Sequence, residues 1–293
     1  MENPFVSIVI PAYNSKRYIE ESIRSVVNQT HQNFELIVVD DGSTDGQSEI
    51  ILDWCGKDKR IRSVRNPNQG VSAARNTGFN HSCGEYVAFL DADDVWMPEN
   101  LFIKIKKFTT GNYGLVHSDA WFIDEHSNRK GWVMAGCEGC LLEHILQWKT
   151  TQIPGPSSIL VKREVLQIVG LFDTRLSTSA DHDFFLRVAE KFTIGRVPVV
   201  TWKYRLHNAN MHKVVLVMER DILRVYAKAK ANKLFKTKWF ERECYATMYL
   251  ILAASWAGDG ENKTKALYFM CKVFLSHPIV FTNTVKRVMN RWL

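Results

Sequence analysis

The chain reads as an α/β protein: a doubly wound, mostly parallel sheet followed by an α-helical extension. Two observations predict this. Through the first hundred residues, short β-branched runs alternate with amphipathic segments across brief connections, the pattern of βαβ units buried on both faces. From about residue 213 strand-like runs give way to helical periodicity. A third observation concerns function. Two of the strands end in acidic clusters, and open α/β sheets bind ligands beyond the carboxyl ends of their strands.

The elements follow in order. "FVSIVIPAY" (5–13) is a buried strand that stops at Pro11. In "SKRYIEESIRSVVNQT" (15–30), Tyr18, Ile19, Ile23, Val26 and Val27 recur at helical spacing with charges opposite. "FELIVVD" (34–40) is a second strand, "DGQSEIILDWCGK" a helix, "IRSVRN" a strand, "GVSAARNTGFNHS" a helix and "EYVAFLD" (85–91) a strand. Near the chain's end, 245–278 holds two apolar helical runs around Gly258-Asp259-Gly260, a hairpin of the tetratricopeptide kind. Residues 279–293 place Phe281, Val285, Val288, Met289 and Trp292 on one helical face, with Lys286, Arg287 and Arg291 largely elsewhere. That profile suits a helix lying in a membrane interface, and equally one packed on the catalytic domain or another subunit.

Composition narrows the function classes. With 46% hydrophobic residues among 293, the chain can bury a sizeable core. No segment reads as a secretory signal, and the longest apolar stretches, such as 248–258, are about half the roughly 20 residues of a membrane span. Six cysteines without a dense framework are expected to be free thiols in a cytoplasmic protein. Cys137, Cys140 and His144 have spacings a zinc site uses but lack a fourth ligand. Residues 201–293 carry 17 Lys and Arg against 6 Asp and Glu, while the rest is mildly acidic. A basic end seeks an anionic partner, and without a nucleic-acid-reading motif an acidic membrane face is favoured over nucleic acid.

Asp40, Asp41, Asp91 and Asp93 all stand at strand ends, where hydrogen bonds, a cation or a ligand must balance their repulsion. Hard oxygen donors of this kind suit Mn²⁺ or Mg²⁺ beside a diphosphate. The alternative is that Asp and Gly here make turns and helix caps. An aspartyl-phosphatase motif is missing, because Gly42 stands two residues after Asp40, and phosphate-binding Gly-rich loops are absent as well.

In order and approximate spacing, "SIVIPAYN", "ELIVVDDGSTDG", "NQGVSAARNTGF", "EYVAFLDADDVWMPENL" and "GLFDTRLSTSADHDFFLRVA" resemble glycosyltransferase family 2, whose members are inverting enzymes of the GT-A fold. The likeness covers roughly residues 4–210. It implies a catalytic domain over 1–212, with a nucleotide-sugar half to about 100 and an acceptor half after it, then a basic helical region over 213–293. Pro11, Ala12, Tyr13 and Asp41 would surround the nucleoside, and Arg75 would reach the base or diphosphate. Asp91, Ala92 and Asp93 match the Asp-x-Asp element that holds the ribose and the metal, with Asp94 beside it. Arg205 would meet the diphosphate and His207 the metal or phosphate.

Inversion by direct displacement also requires a carboxylate to take the acceptor's proton. Asp181 aligns with the Asp of the family's Glu-Asp motif, but Ala180 replaces the Glu; Asp183 is the fallback, and capping a helix is the bland role for Asp181. The turn Pro154-Gly155-Pro156 matches a stretch beside the acceptor site. The resemblance therefore implies a metal-dependent transferase moving a sugar from a nucleotide donor, most readily a UDP-sugar, to a glycan or lipid-linked acceptor at the cytosolic face of a membrane. A non-catalytic nucleotide-sugar-binding module of a polysaccharide assembly complex is the alternative, and a nucleotidyltransferase is a weaker third. Oligomers through the C-terminal helices would suit either.

Overall fold

The computed structural model describes residues 3–208, 210 and 214–282, so most of the expected terminal helix, from 283 on, lies outside the described residues. These residues form two compact units, one drawn from 1–141 and 151–207, the other from 142–150 and 208 onward.

The first unit is built on a sheet whose opening half follows the sequence pattern closely. Strands β1 (Val6–Ala12), β2 (Phe34–Asp40), β3 (Ile61–Arg65) and β4 (Tyr86–Phe89) are joined by helices α1 (Ile19–Val27), α2 (Gln47–Lys57) and α3 (Val71–Asn80). β1 runs one residue past Pro11, where the sequence predicts a stop, because it stays paired with β2 through Ala12 and Asp40. All four strands are parallel, in the order β3-β2-β1-β4. The order reverses between β1 and β4, so a crevice opens at their carboxyl ends. Every residue of β1 and β2 is buried, as expected of strands covered on both faces. α3 lies close against β1: a Cβ on Gly78 would stand 2.2 Å from Val9 Cγ1, so only glycine permits that approach.

The second half of the sheet, where sequence patterning assigns no strands, is mixed. β5 (Val95–Trp96), β6 (Leu115–Ile123), β7 (Arg129–Met134), β8 (Ile159–Lys162) and β9 (Ile194–Arg205) extend the order as β4-β8-β6-β9-β5. β8 is antiparallel to β4 and β6, whereas β6 and β9 are parallel. The double reversal returns β6 and β9 to the direction of β4, so their carboxyl ends reach the rim where β1, β2 and β4 end. β7 folds back antiparallel on the outer part of β6.

In the second unit, helices α5 (Leu142–Gln147), α8 (Val215–Ala231), α9 (Lys238–Ala257) and α10 (Lys263–Ser276) pack together, α9 and α10 as the predicted hairpin. Thr237 and Asn262 cap α9 and α10 by accepting the amides of Phe240 and Lys265. The Tyr226 hydroxyl donates to the Leu146 carbonyl at 2.6 Å and ties α5 to α8.

Helix α4 (Asn100–Phe108) of the first unit turns Lys104 fully into the core. Its ammonium lies 5.7 Å from the Trp96 ring centroid, and Nζ has no hydrogen-bond partner among the described residues. Burial pushes its pKa well below the usual lysine range. Over the pH window between that depressed value and about 10.4 the unfolded chain binds the extra proton, so stability rises with pH. Lys104→Met is therefore expected to stabilise the protein by roughly 1 kcal/mol or more at pH 7 and to flatten the rise between pH 7 and 9. Urea midpoints at both pH values check this; an unchanged slope in the variant would assign the pH dependence elsewhere.

Candidate active site

Strand β1 delivers buried Pro11 and Ala12 to the crevice and then Tyr13, which is 51% exposed at the rim. Alongside it, the acids after β2 turn out to organise loops. Buried Asp40 accepts the Ser43 amide at 3.0 Å together with Gln47 and Ser48. Burial alone would raise its carboxyl, but these bonds outweigh burial and hold it below the usual range. Asp41 accepts the amides of Gln69 and Gly70, the latter at 2.7 Å, and so fixes the entry to α3. Asp45 holds the amides of Lys16 and Gln47. Between them Gly42 has φ +80°, and a Cβ there would meet the Asn68 amide nitrogen at 2.8 Å. Hydrogen bonds, one of the three balances the sequence allows, thus stabilise this cluster, with Arg65 3.6 Å from Asp40.

The acids after β4 behave differently. The turn Asp91-Ala92-Asp93-Asp94 is held by groups from four other segments. Ser22 of α1 donates to the carbonyls of Ala92 and Asp94 at 2.8 and 2.7 Å. Ser157, in the turn before β8, accepts the Asp91 amide at 3.0 Å and donates to Asp94 at 2.6 Å. Arg205, ending β9, gives its amide to Asp94 at 3.0 Å and its Nε to the Asp93 carbonyl at 2.7 Å. Arg75 of α3 pairs with Asp91 at 2.6 Å, and His207 Nε2 lies 2.8 Å from Asp93 Oδ2. Asp94 is buried; burial first, then the charges of Asp93 and Asp91, pushes its carboxyl well above the usual range. Asp91 and Asp93 keep side chains 29% and 27% exposed, each beside a basic group.

Asp181 sits in the first turn of α7 (Ala180–Lys191). Ser179 occupies the cap position, and Asp181, inside the first turn, accepts the adjacent His182 amide at 2.8 Å, so it does not cap the helix. Burial raises its pKa, the Arg75 charge draws it back, and the Asp91 charge adds to the rise. Asp181 therefore shares one electrostatic environment with Arg75 and Asp91 from a helix a hundred residues further along the chain. Asp183 is buried and paired with Arg187 at 2.9 Å, whose other nitrogens hold the carbonyls of Val169, Gly170 and Leu171. Ala180 is fully buried.

The structure thus brings together Arg75, Asp91, Asp93, His207 and Asp181. Arg205 is placed otherwise than the sequence suggests. Its guanidinium, 1% exposed, is turned into the protein, bonding Glu21, Ser127, the Asp124 carbonyl and the Asp93 carbonyl over the Tyr18 ring. Donation to a diphosphate would require giving up those bonds. Sequence reasoning overlooked Ser22, Glu21, Ser157 and Tyr204. The Tyr204 phenol is pushed up by burial and then by the charges of Asp94, Asp93, Asp91 and Asp181, and the next residue, Arg205, bonds Asp94 through its amide. No local signal marks these residues, since a serine in a helix or a tyrosine in a strand has many ordinary uses.

With this geometry in place, comparison with known proteins decides the family. The profile described as Glycosyl transferase family 2 matches residues 7–167, more than half of the chain. The chain belongs to glycosyl transferase family 2. An uncharacterised glycosyltransferase of Rickettsia bellii is 33% identical over 206 residues, covering 70% of this chain and 29% of that protein. The chain therefore spans only about a third of the length of such relatives. The mannosyltransferase PcManGT of Pyrobaculum calidifontis, solved with GDP-Man and Mn²⁺, superposes with a TM-score of 0.65 at 18% identity, over 98% of this chain and 81% of that one. Residues 1–349 of S. aureus TarS, solved with UDP-GlcNAc, give a TM-score of 0.60 at 17% identity, over 92% and 72%. At such identities the two neighbours establish the fold, which is GT-A with a helical extension.

The two ends of the Arg205 ion pair should differ in their effect on stability. Arg205→Ala removes charge-assisted bonds to buried carbonyls and is expected to cost about 2 kcal/mol or more. Glu21→Gln alters only the half-exposed partner, at less than about 1 kcal/mol. Denaturant titration of both variants checks this, and equal losses would contradict it.

Proposed function

We propose that the chain is a nucleotide-sugar-dependent, inverting glycosyltransferase whose catalytic base is Asp181. The observation that carries this reading is the convergence of Arg75, Asp91, Asp93 and Asp181, from three separate elements, at the switch point of the sheet. Donor binding begins with the floor formed by Pro11 and Ala12. The exposed Tyr13 ring offers a stacking face to the base. Asp41 acts there by ordering the 69–70 backbone that closes the nucleoside pocket, and Ala92 leaves room for the ribose beside Asp91. Arg75, with Nη2 on Asp91 and a buried Nε that has no hydrogen-bond partner among the described residues, retains a donor for the diphosphate.

A divalent cation fits the donor set. Asp93 Oδ2 and His207 Nε2 are 2.8 Å apart, and such oxygen and imidazole donors suit Mn²⁺. Among the described residues no three acidic, His or Cys side chains converge as a complete cage, consistent with an ion that completes its shell with phosphate and water. When bound, the ion supplies positive charge to the leaving diphosphate. The protein's own residues do the rest. Asp181 takes the proton of an acceptor hydroxyl as its oxygen bonds to the anomeric carbon, while the bond from that carbon to the diphosphate breaks and the nucleoside diphosphate leaves with the electron pair. Arg205 is a positioning residue in this scheme, holding the backbone of Asp93 and Asp94.

A UDP- or GDP-linked donor is supported by the ligands named for the two structural neighbours, and a glycan or lipid-linked acceptor by the family. The excess of basic residues beyond 200 supports peripheral attachment to an anionic cytosolic membrane face, and the exposed apolar side chains of α10 support association through the C-terminal helices. Among the described residues no helix is long and apolar enough to cross a membrane.

Asp181→Asn is expected to lower sugar transfer by roughly 100-fold or more while the donor dissociation constant stays within about twofold. Because the Asp181 pKa is raised and the base acts deprotonated, the acid limb of kcat/KM should lie above the usual aspartate range and vanish in the variant. Wild-type transfer by the variant would assign the base elsewhere. Asp93→Ala should abolish the Mn²⁺-dependent part of donor affinity, measured by calorimetry with and without chelator; an undiminished metal effect would remove Asp93 from the metal site.

A further inference from the structure

An aromatic row leads away from the acids across three strands. Tyr204 of β9 is paired in register with Phe122 of β6, their ring centroids 5.7 Å apart and nearly perpendicular. Phe122 in turn meets Trp132 of β7 edge-to-face at 6.5 Å. The inner end of the row is Tyr204, partly buried, next in the chain to Arg205, whose amide bonds Asp94 at 3.0 Å, and backed by Trp202 at 6.1 Å. The outer end is Trp132, 67% exposed. Lys130, two residues before Trp132 on the same strand, pairs with Asp124 at 3.5 Å in the loop joining β6 to β7.

Such exposure of a tryptophan on an edge strand is costly for solubility and adds nothing to the core. Its companions are neither random nor detached, because each ring packs on the next and the last adjoins Arg205, whose amide holds Asp94 in the acidic turn. We propose that Tyr204, Phe122 and Trp132 form the acceptor platform, and that the acceptor is a saccharide of at least two pyranose units. The inference rests on Asp181 being where the acceptor hydroxyl is activated. With successive ring centroids 5.7 and 6.5 Å apart, the row is longer than a single pyranose ring and so receives a second unit of the acceptor.

The chemistry of the surface selects a saccharide over an acyl chain. A pyranose presents an apolar C–H face to an aromatic ring and a rim of hydroxyls to its surroundings, matching rings that carry polar groups at their edge. The Lys130 ammonium supplies donors to that rim, held by Asp124, whose carboxylate also accepts the His126 and Asn128 amides. An acyl chain on the same surface would desolvate this ion pair without replacing its hydrogen bonds. The perpendicular packing within the row also holds each ring in place, so little side-chain entropy remains to be lost on binding.

Saturation-transfer difference NMR on the full chain tests this with three probes: cellobiose, N,N′-diacetylchitobiose and mannobiose. At least one is expected to receive saturation at its ring C–H protons. The signal should fall about fivefold or more in Trp132→Ala, an exposed position whose loss leaves the core intact, and persist in Trp239→Ala, an exposed tryptophan of the other unit. No transfer to any of the three sugars, or transfer that survives Trp132→Ala, overturns the proposal. Saturation passing only to the acyl protons of dodecylphosphocholine below its micelle concentration overturns it in favour of a lipid surface. Thermal stabilisation by UDP- and GDP-sugars with Mn²⁺ is measured on the same protein. A nucleotide response without saccharide contact overturns this inference alone, whereas Trp132-dependent saccharide contact without any nucleotide response supports the platform and overturns the donor reading.

Discussion

The site depends on one constraint: four consecutive residues, Asp91 to Asp94, are held in a fixed turn at the end of β4 while three of them carry carboxyl groups. Three unscreened carboxylates so close together would repel strongly. The fold resolves this by treating them unequally. Asp94 is drawn inward, where Ser157 and the Arg205 amide hold it and burial favours its protonated form. Asp91 and Asp93 are left at the rim, each facing a basic side chain. The turn thus presents two carboxylates to the crevice and stores the third in the interior.

The same logic separates the two acidic clusters that look alike in sequence. Asp40, Asp41 and Asp45 all find backbone amides, and their charge is used to tie the β1–α1, β2–α2 and β3–α3 connections to one another. Asp91 and Asp93 have side-chain partners that a ligand or cation can replace or join. Acids saturated by amides build the walls of a crevice; acids facing basic side chains at its rim can do chemistry there.

The mixed half of the sheet serves the same rim from the other side. Because β6 and β9 regain the direction of β4, Arg205, His207 and Tyr204 arrive where β4 ends, and the β6–β7 hairpin projects from there. Ser127 in that hairpin bonds both Glu21 and Arg205, and Arg205 bonds Glu21, so α1, β9 and the hairpin meet at the Arg205 guanidinium.

Much of this was legible beforehand. The parallel strands and their helices follow from apolar periodicity, which is a local property, and the acids at strand ends mark the rim because strand direction alone decides where ligands bind. Asp91, Asp93, Arg75 and Asp181 could be singled out because they fall within ordered motifs. The strands of the second half could not, since β8 is only four residues long and β9 carries polar residues along its length. Nor could the fate of individual acids. The sequence by itself determined the α/β framework, the helical end and the rim on which the acids stand. Tertiary structure alone decided which acids lie open at the rim and which is buried, because Asp94 meets Ser157 and Arg205 across 63 and 111 residues. Likewise it turned Arg205 inward and set Tyr204 at the end of the aromatic row, since burial and hydrogen-bond partners belong to the folded neighbourhood and leave no periodic trace in the chain.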